Sequence, residues 1–110
     1  MNQIAKGLVA AAKKLRSELD LLSFRSPVAF VYNPIRYAWR AHEKYLVQYS
    51  AAPCRTLFLG MNPGPWGMAQ TGVPFGEIDA VREYLQIETQ IDRPEIEHPK
   101  RPIQGFDCSR

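Results

Sequence analysis

Residues 55–77 read "RTLFLGMNPGPWGMAQTGVPFGE", and this stretch decides the predicted fold. Its beginning, "RTLFLGM", is a continuous apolar run that includes a glycine, which is typical of a strand buried on both faces of a parallel sheet. Residues 60–77 then hold five of the chain's seven glycines and three of its nine prolines, and residues 56–76 carry no charged side chain. We therefore predict a buried strand followed by a stiff, sheltered loop.

Three amphipathic helices are predicted around this stretch. Apolar residues recur at three- and four-residue steps in residues 3–22, 33–50 and 77–87. Asn33 and Pro34 suit the N-cap and first position of the second helix, and the acid Glu77 suits the positive end of the third. The loop is thus expected to join the end of a strand to the start of a helix.

The predicted fold class is α/β, and the chain is expected to hold only part of it. A single buried parallel strand needs neighbouring strands on both sides for its backbone groups. We therefore interpret residues 1–110 as the N-terminal portion of one domain. Residues 1–25 would contain the N-terminal helix, and residues 88–110, which show no period, would form an irregular connection.

Composition excludes some classes of protein. A net charge of +3 with a pI near 9.0 favours a polyanionic partner only weakly, because the same excess is common on solvated surfaces. The two cysteines stand far apart without a His/Cys cluster, which argues against a disulfide framework or a zinc site. The charged N-terminus resembles neither a signal peptide nor a membrane span, so we expect a protein of an intracellular, reducing compartment.

The loop is the leading candidate for a ligand site, since crevices in open α/β sheets lie outside the carboxyl ends of the strands. Its glycines lack the spacing and the lysine of a P-loop, and G-x-G-x-x-G is absent, which disfavours a phosphate cradle. Asn62 and Gln70 offer amides, while Trp66 and Phe75 offer flat apolar surface. These features favour a rigid, uncharged pocket for a neutral planar heterocycle, although a glycine- and proline-rich turn without a ligand has the same composition.

The segment "FLGMNPGPWGMAQTGVPFGE", with "YNPIRYAW" upstream and "EHPKRP" downstream, resembles the single-strand-selective monofunctional uracil-DNA glycosylases, a branch of the uracil-DNA glycosylase superfamily. The match runs over about residues 28–108. This resemblance implies an α/β/α sandwich around a mostly parallel four-stranded sheet. It also implies a cofactor-free and metal-free DNA repair enzyme that hydrolyses the N-glycosidic bond of uracil and 5-hydroxymethyluracil in single- or double-stranded DNA, on a nucleotide flipped out of the stack.

The resemblance also implies roles for individual residues. Asn62 would be the catalytic residue that positions water, and Phe75 would stack on the flipped base. Met61 and Gly64 would line the same turn and admit the base and the water. Lys100 and Arg101 are candidates for contacts to DNA phosphates.

One departure from the family leaves alternatives open. The family's second motif, a His-Pro-Ser stretch, has no counterpart here, and His98 is not its histidine because it lies in the connection after the third helix. A catalytically incomplete DNA- or protein-binding fragment of the fold is therefore an alternative function. A nucleotide-binding α/β module is a third and weaker one.

Overall fold

The computed structural model describes residues 1–50 and 52–109, so the last position of the predicted connection 88–110 lies outside the described residues. Its α-helices are α1 (Gln3–Asp20), α2 (Pro34–Tyr37), α3 (Trp39–Gln48) and α4 (Met68–Thr71). A π-helical turn covers Ala80–Tyr84 and a 3₁₀ turn covers Gly105–Asp107. Within the described ranges, no helix has the length and apolar character needed to cross a membrane.

Helix α1 confirms the first predicted helix. The Asn2 side chain caps it by accepting a hydrogen bond from the Ala5 N–H at 2.7 Å. The helix packs against α3 through a narrow stripe of small residues, Ala5, Val9 and Ala12, all of them buried. The larger Leu8 and Leu15 are 42% and 45% exposed, so small side chains set the distance between the two helices.

The second predicted helix forms in two pieces, because the backbone leaves helical geometry at Ala38 (φ −108°, ψ 30°). Pro34 occupies the first helical position as expected. Asn33 does not cap the helix with its side chain. Its Nδ2 instead donates to the Arg16 carbonyl at 3.1 Å and to Asp20 Oδ1 at 2.8 Å, which ties α2 to the C-terminal end of α1.

The predicted sheet is wrong for this chain. None of residues 1–50 and 52–109 lies in a strand, so the expected α/β sandwich with a mostly parallel four-stranded sheet is not observed. Leu57, Phe58 and Leu59, the centre of the predicted strand, are 84%, 80% and 88% exposed. The physical reason is that a strand exists only through backbone hydrogen bonds to a neighbour, and no other described segment supplies one. The apolar composition of the run predicted a strand, but composition does not identify the segment with which a strand would pair.

The third predicted helix is shorter than expected and ends in a π-helical turn. Glu77 caps its start, as predicted, since its two carboxylate oxygens accept the N–H groups of Asp79 at 2.9 Å and Ala80 at 3.0 Å. The Leu85 N–H donates to the Ala80 carbonyl at 3.0 Å, the five-residue spacing of a π turn. The helix ends before Gln86, which adopts a positive φ of 59°.

The core lies between α3, the second half of the loop and the C-terminal segment. One buried cluster consists of Ala41, Val73, Ile78, Val81, Ile87 and Phe106. A second, beside it, consists of Tyr37, Ala38, Ala69 and Ile103, and Ile91 packs against both. The segment after the exposed run 57–61 therefore supplies much of the core.

The Gln70 amide joins the loop to the C-terminal segment. Its Nε2 donates to the carbonyls of Pro65 and Pro102, each at 3.1 Å. Its Oε1 accepts the N–H groups of Gln104 at 2.8 Å and Gly105 at 3.0 Å. Because the side chain is 3% exposed, these four bonds replace nearly all of its contacts with water.

We expect Gln70→Leu to lower the free energy of unfolding by about 3 kcal/mol, because it leaves four backbone groups without their partner while keeping the volume nearly constant. Urea unfolding monitored by circular dichroism measures the change. Gln90→Leu, at an exposed glutamine, is the matched control and should alter stability little. Equal stability of the two variants would contradict a structural role for the Gln70 amide.

Candidate active site

The predicted site residues of the loop line one cavity. A cavity of about 620 Å³ is bounded by Met61, Asn62, Gly64 and Phe75, four positions brought together by the path of residues 58–77. Trp66 and Met68 add apolar surface to its wall. The site is therefore uncharged over most of its lining, as its sequence predicts.

Asn62 lines this cavity at the surface of the protein. Its side chain is exposed, and its Nδ2 donates to the carbonyl of the adjacent Pro63 at 3.3 Å. The same residue lines a second cavity of about 530 Å³, whose other wall includes Phe24, Phe30 and Arg101. Because Asn62 is exposed and lines both cavities, a bound molecule can reach its amide.

Phe75 is held in an unusual conformation. Its backbone has a φ of 57°, in the left-handed region that bulky residues rarely adopt, and its side chain is 70% exposed. The exposed aromatic ring forms part of the cavity wall. The fold therefore keeps a large apolar ring at the surface, in the same cavity as the Asn62 amide.

The second half of the loop is fixed by buried hydrogen bonds. Thr71 Oγ1 donates to the Gly76 carbonyl at 2.8 Å and accepts the Val73 N–H at 3.2 Å. Gly72 has a φ of 77°, and a Cβ atom there would lie 2.6 Å from that of Ala38, so this position requires glycine. These contacts anchor the backbone on both sides of Phe75.

Gln70 does not line the 620 Å³ cavity, so the interpretation of its amide as a ligand contact is wrong. All four of its hydrogen bonds are made to the backbone, and the side chain is buried away from the 620 Å³ cavity. In the loop, Asn62 is the amide that a ligand in the cavity can contact.

His42 supports the loop from α3. Its Nδ1 lies 2.9 Å from the Gly72 carbonyl, which requires the imidazole to donate at that nitrogen. Burial lowers the pKa of His42, and the hydrogen bond to Gly72 opposes this effect only in part. The residue is a structural histidine, in keeping with its position on the apolar face of the helix.

The two predicted phosphate contacts lie outside the loop cavity. Lys100 and Arg101 are both exposed. The Arg101 guanidinium lies 5.6 Å from the centroid of the Trp66 ring, a cation–π contact, and Arg101 lines the second cavity beside Asn62. Arg101 is thus near the site, whereas Lys100 lines neither cavity. Their roles on DNA stay predictions.

Sequence analysis gave no role in the cavity to Glu77 or Gly60. Glu77 is the one titratable side chain in the described cavity lining, but its carboxylate is occupied by the helix cap. Gly60 also lines the cavity and lies against the Phe75 ring. A glycine at the end of an apolar run indicates that another group lies close to the backbone there, but the sequence does not identify that group.

Across the described ranges, no three His, Cys, Asp or Glu side chains lie close enough together to hold a metal ion.

Comparisons with known proteins agree with the predicted resemblance. No family model matches the chain. It is 50% identical over 105 residues to the single-strand selective monofunctional uracil-DNA glycosylase of Rattus norvegicus, which covers 96% of this chain and 38% of that protein. The proteins of the same name from Mus musculus and Bos taurus are each 49% identical over 96% of the chain, which spans 38% and 39% of their lengths.

These matches confirm that the chain is similar to this family of glycosylases over nearly all of its length. The chain spans about two fifths of the length of the curated relatives that it matches. The similarity extends over the loop, α3 and the C-terminal segment that packs on it.

We expect stability to fall as the pH is lowered from about 7.5 to about 5.5. Burial holds the pKa of His42 below its ordinary 6.5, so the unfolded chain binds more protons than the folded chain in this range. Hydrogen bonds from Asn33 and Arg93 lower the carboxyl pKa values of Asp20 and Glu97, which therefore titrate below this window. Thermal melts across the range measure the slope.

His42→Asn keeps a donor for the Gly72 carbonyl but cannot titrate. It should flatten the pH dependence between about 5.5 and 7.5. The same slope in wild type and variant would show that another group is responsible.

Proposed function

We propose that the chain supplies the loop-bearing part of a monofunctional DNA repair glycosylase, which excises uracil and 5-hydroxymethyluracil from single- or double-stranded DNA. The observation that carries the proposal is that Asn62, Gly64 and Phe75 line one largely uncharged cavity. The names of the relatives, uracil-DNA glycosylases, support the reaction class. The target nucleotide would leave the base stack to reach the cavity.

The proposed reaction is hydrolysis at the sugar carbon that bears the base. Water forms a bond to this carbon, the N-glycosidic bond breaks, and its electron pair leaves with uracil, which later takes a proton. Positive charge develops on the sugar and negative charge on the base, so the enzyme must place the water and stabilise the departing anion. No cofactor or metal takes part in these steps.

Asn62 is proposed to place the water. Its exposed amide can donate and accept, and Pro63 restricts the backbone next to it. An amide is a poor base, so its contribution is orientation rather than proton abstraction. The neighbouring Glu77 carboxylate already accepts two backbone N–H groups, which leaves Asn62 as the better candidate.

Phe75 is proposed to stack on the flipped base. The ring is exposed on the cavity wall, where a planar heterocycle can lie against its face. Gly64 leaves open space, since a Cβ there would meet no atom within 4 Å, and Met61 is 98% exposed beside it. Both would line the entry of base and water.

DNA is proposed to meet the protein beside the second cavity. Arg101 is exposed there, over the Trp66 ring, and Lys100 precedes it in the chain. Contacts from these two cations to phosphates would be independent of sequence and weakened by salt.

In the full-length natural protein, Asn62→Ala should slow single-turnover excision of uracil at least about a hundred-fold, since loss of an orienting group falls on the chemical step. DNA affinity and thermal stability should be nearly unchanged, because the side chain is exposed and donates its hydrogen bond to the carbonyl of the adjacent Pro63. Gln90→Ala, an exposed amide remote in sequence from the loop, is the control. If Asn62→Ala lost stability and kept its cleavage rate, Asn62 would only shape the turn. If the wild-type protein bound uracil-containing DNA without cleaving it, the alternative of a binding fragment would be favoured.

Phe75→Ala should reduce uracil excision by roughly ten- to a hundred-fold, because stacking of a base on an aromatic ring contributes about 1–3 kcal/mol. The folded state should hardly be affected, since 70% of the side chain is already exposed. Phe75→Tyr keeps the ring and should retain most of the rate. Unchanged excision by Phe75→Ala would place the ring outside the substrate site.

A further inference from the structure

Gly60 and Phe75 lie against each other across the loop. A Cβ atom built on Gly60 would lie 3.2 Å from Phe75 Cζ and 3.3 Å from Cε1. Separations of this size are tighter than nine in ten contacts that real Cβ atoms make. The far edge of the ring therefore occupies the space that a side chain at position 60 would need.

The backbone on the other side of the ring cannot readily adjust. Phe75 stands at a φ of 57°, and the next residue is clamped: the Gly76 N–H donates to the Val73 carbonyl and its own carbonyl accepts from Thr71. A Cβ on Gly76 would lie 2.6 Å from the Val73 oxygen. Crowding at position 60 must consequently be relieved by movement of the ring or of the exposed segment around Gly60.

The ring has room to move outward because 70% of Phe75 is exposed. An added methyl group at position 60 would crowd the ring edge, and the ring or the exposed segment around Gly60 would have to yield while the buried core stays unchanged. From these three observations we propose that Gly60 is a positioning residue, whose missing side chain leaves the space that the Phe75 ring occupies when it stacks on a flipped base. The stacking itself rests on the function proposed above, whereas the contact between the two residues does not.

A double-mutant cycle in the full-length natural protein separates this role from a structural one. Gly60→Ala should slow single-turnover excision of uracil from single-stranded DNA by about three- to ten-fold, part of the value of base–aromatic stacking. In the Phe75→Ala background, the same substitution should have no further effect, since the ring through which it acts is absent. Gly7→Ala on α1, where a Cβ meets no atom within 4 Å, is the matched control and should leave excision unchanged.

A second measurement tests the contact without reference to activity. In an NMR spectrum with ring-labelled phenylalanine, the Gly60 Hα protons should show nuclear Overhauser contacts to the Phe75 ring. Gly60→Ala should shift the Phe75 ring resonances while the melting temperature stays within about two degrees of wild type. If wild type excises no uracil, the proposed function fails, yet these spectra still decide whether the ring rests on Gly60.

Three results would overturn the proposal. Equal slowing by Gly60→Ala with and without the Phe75 ring would show that the glycine acts on another part of the site. Unaltered ring resonances in Gly60→Ala would show that position 60 does not influence the ring. A large drop in melting temperature for Gly60→Ala would give the glycine a role in folding instead.

Discussion

The buried amide of Gln70 is the interaction on which the arrangement of the loop depends. An amide has two donors and an acceptor oxygen with two lone pairs, and here all four positions are filled by backbone groups. The partners lie at residues 65, 102, 104 and 105, two segments far apart in the chain. An unsatisfied buried polar group costs about 1–3 kcal/mol, so an arrangement of the two segments that breaks these four hydrogen bonds is less stable. The two buried clusters of the core contain residues from both segments.

This constraint divides the loop into two parts with different properties. Residues 69–73 are buried and tied down, whereas residues 57–65 are exposed. The absence of charge has a different consequence in each part. In the buried part a charge would lack water, and in the exposed part the cavity lining stays neutral except at Glu77. An uncharged stretch that looks uniform in sequence therefore consists of a buried anchor and an exposed segment that lines the cavity.

Local features could be predicted from the sequence, and features that depend on a distant partner could not. The helix at residues 3–22 and the cap at Glu77 arise from contacts a few residues apart, so periodicity and charge reveal them. The run at residues 56–61 was wrongly expected to form a buried strand, since pairing requires a second segment that composition does not identify. The interpretation of Gln70 as a ligand contact is wrong for the same reason. An amide side chain can form hydrogen bonds, but only the fold shows that its partners are backbone groups. The grouping of Asn62 with Phe75 was expected from family resemblance and not from spacing.

The conformation of Phe75 is the strongest physical indication that the loop serves a purpose beyond turning the chain. A bulky residue at positive φ costs about 1–3 kcal/mol, and leaving most of a phenylalanine side chain in water forgoes hydrophobic stabilisation of about 2 kcal/mol. A turn could avoid both costs by placing glycine at this position, as the chain does at Gly72 and Gly105. The contacts of Thr71 and Gly76 hold the strained backbone in place, and together they direct an aromatic ring into the cavity that Asn62 lines. Two unfavourable terms therefore meet at one residue, and both follow from keeping the Phe75 ring exposed on the wall of the cavity.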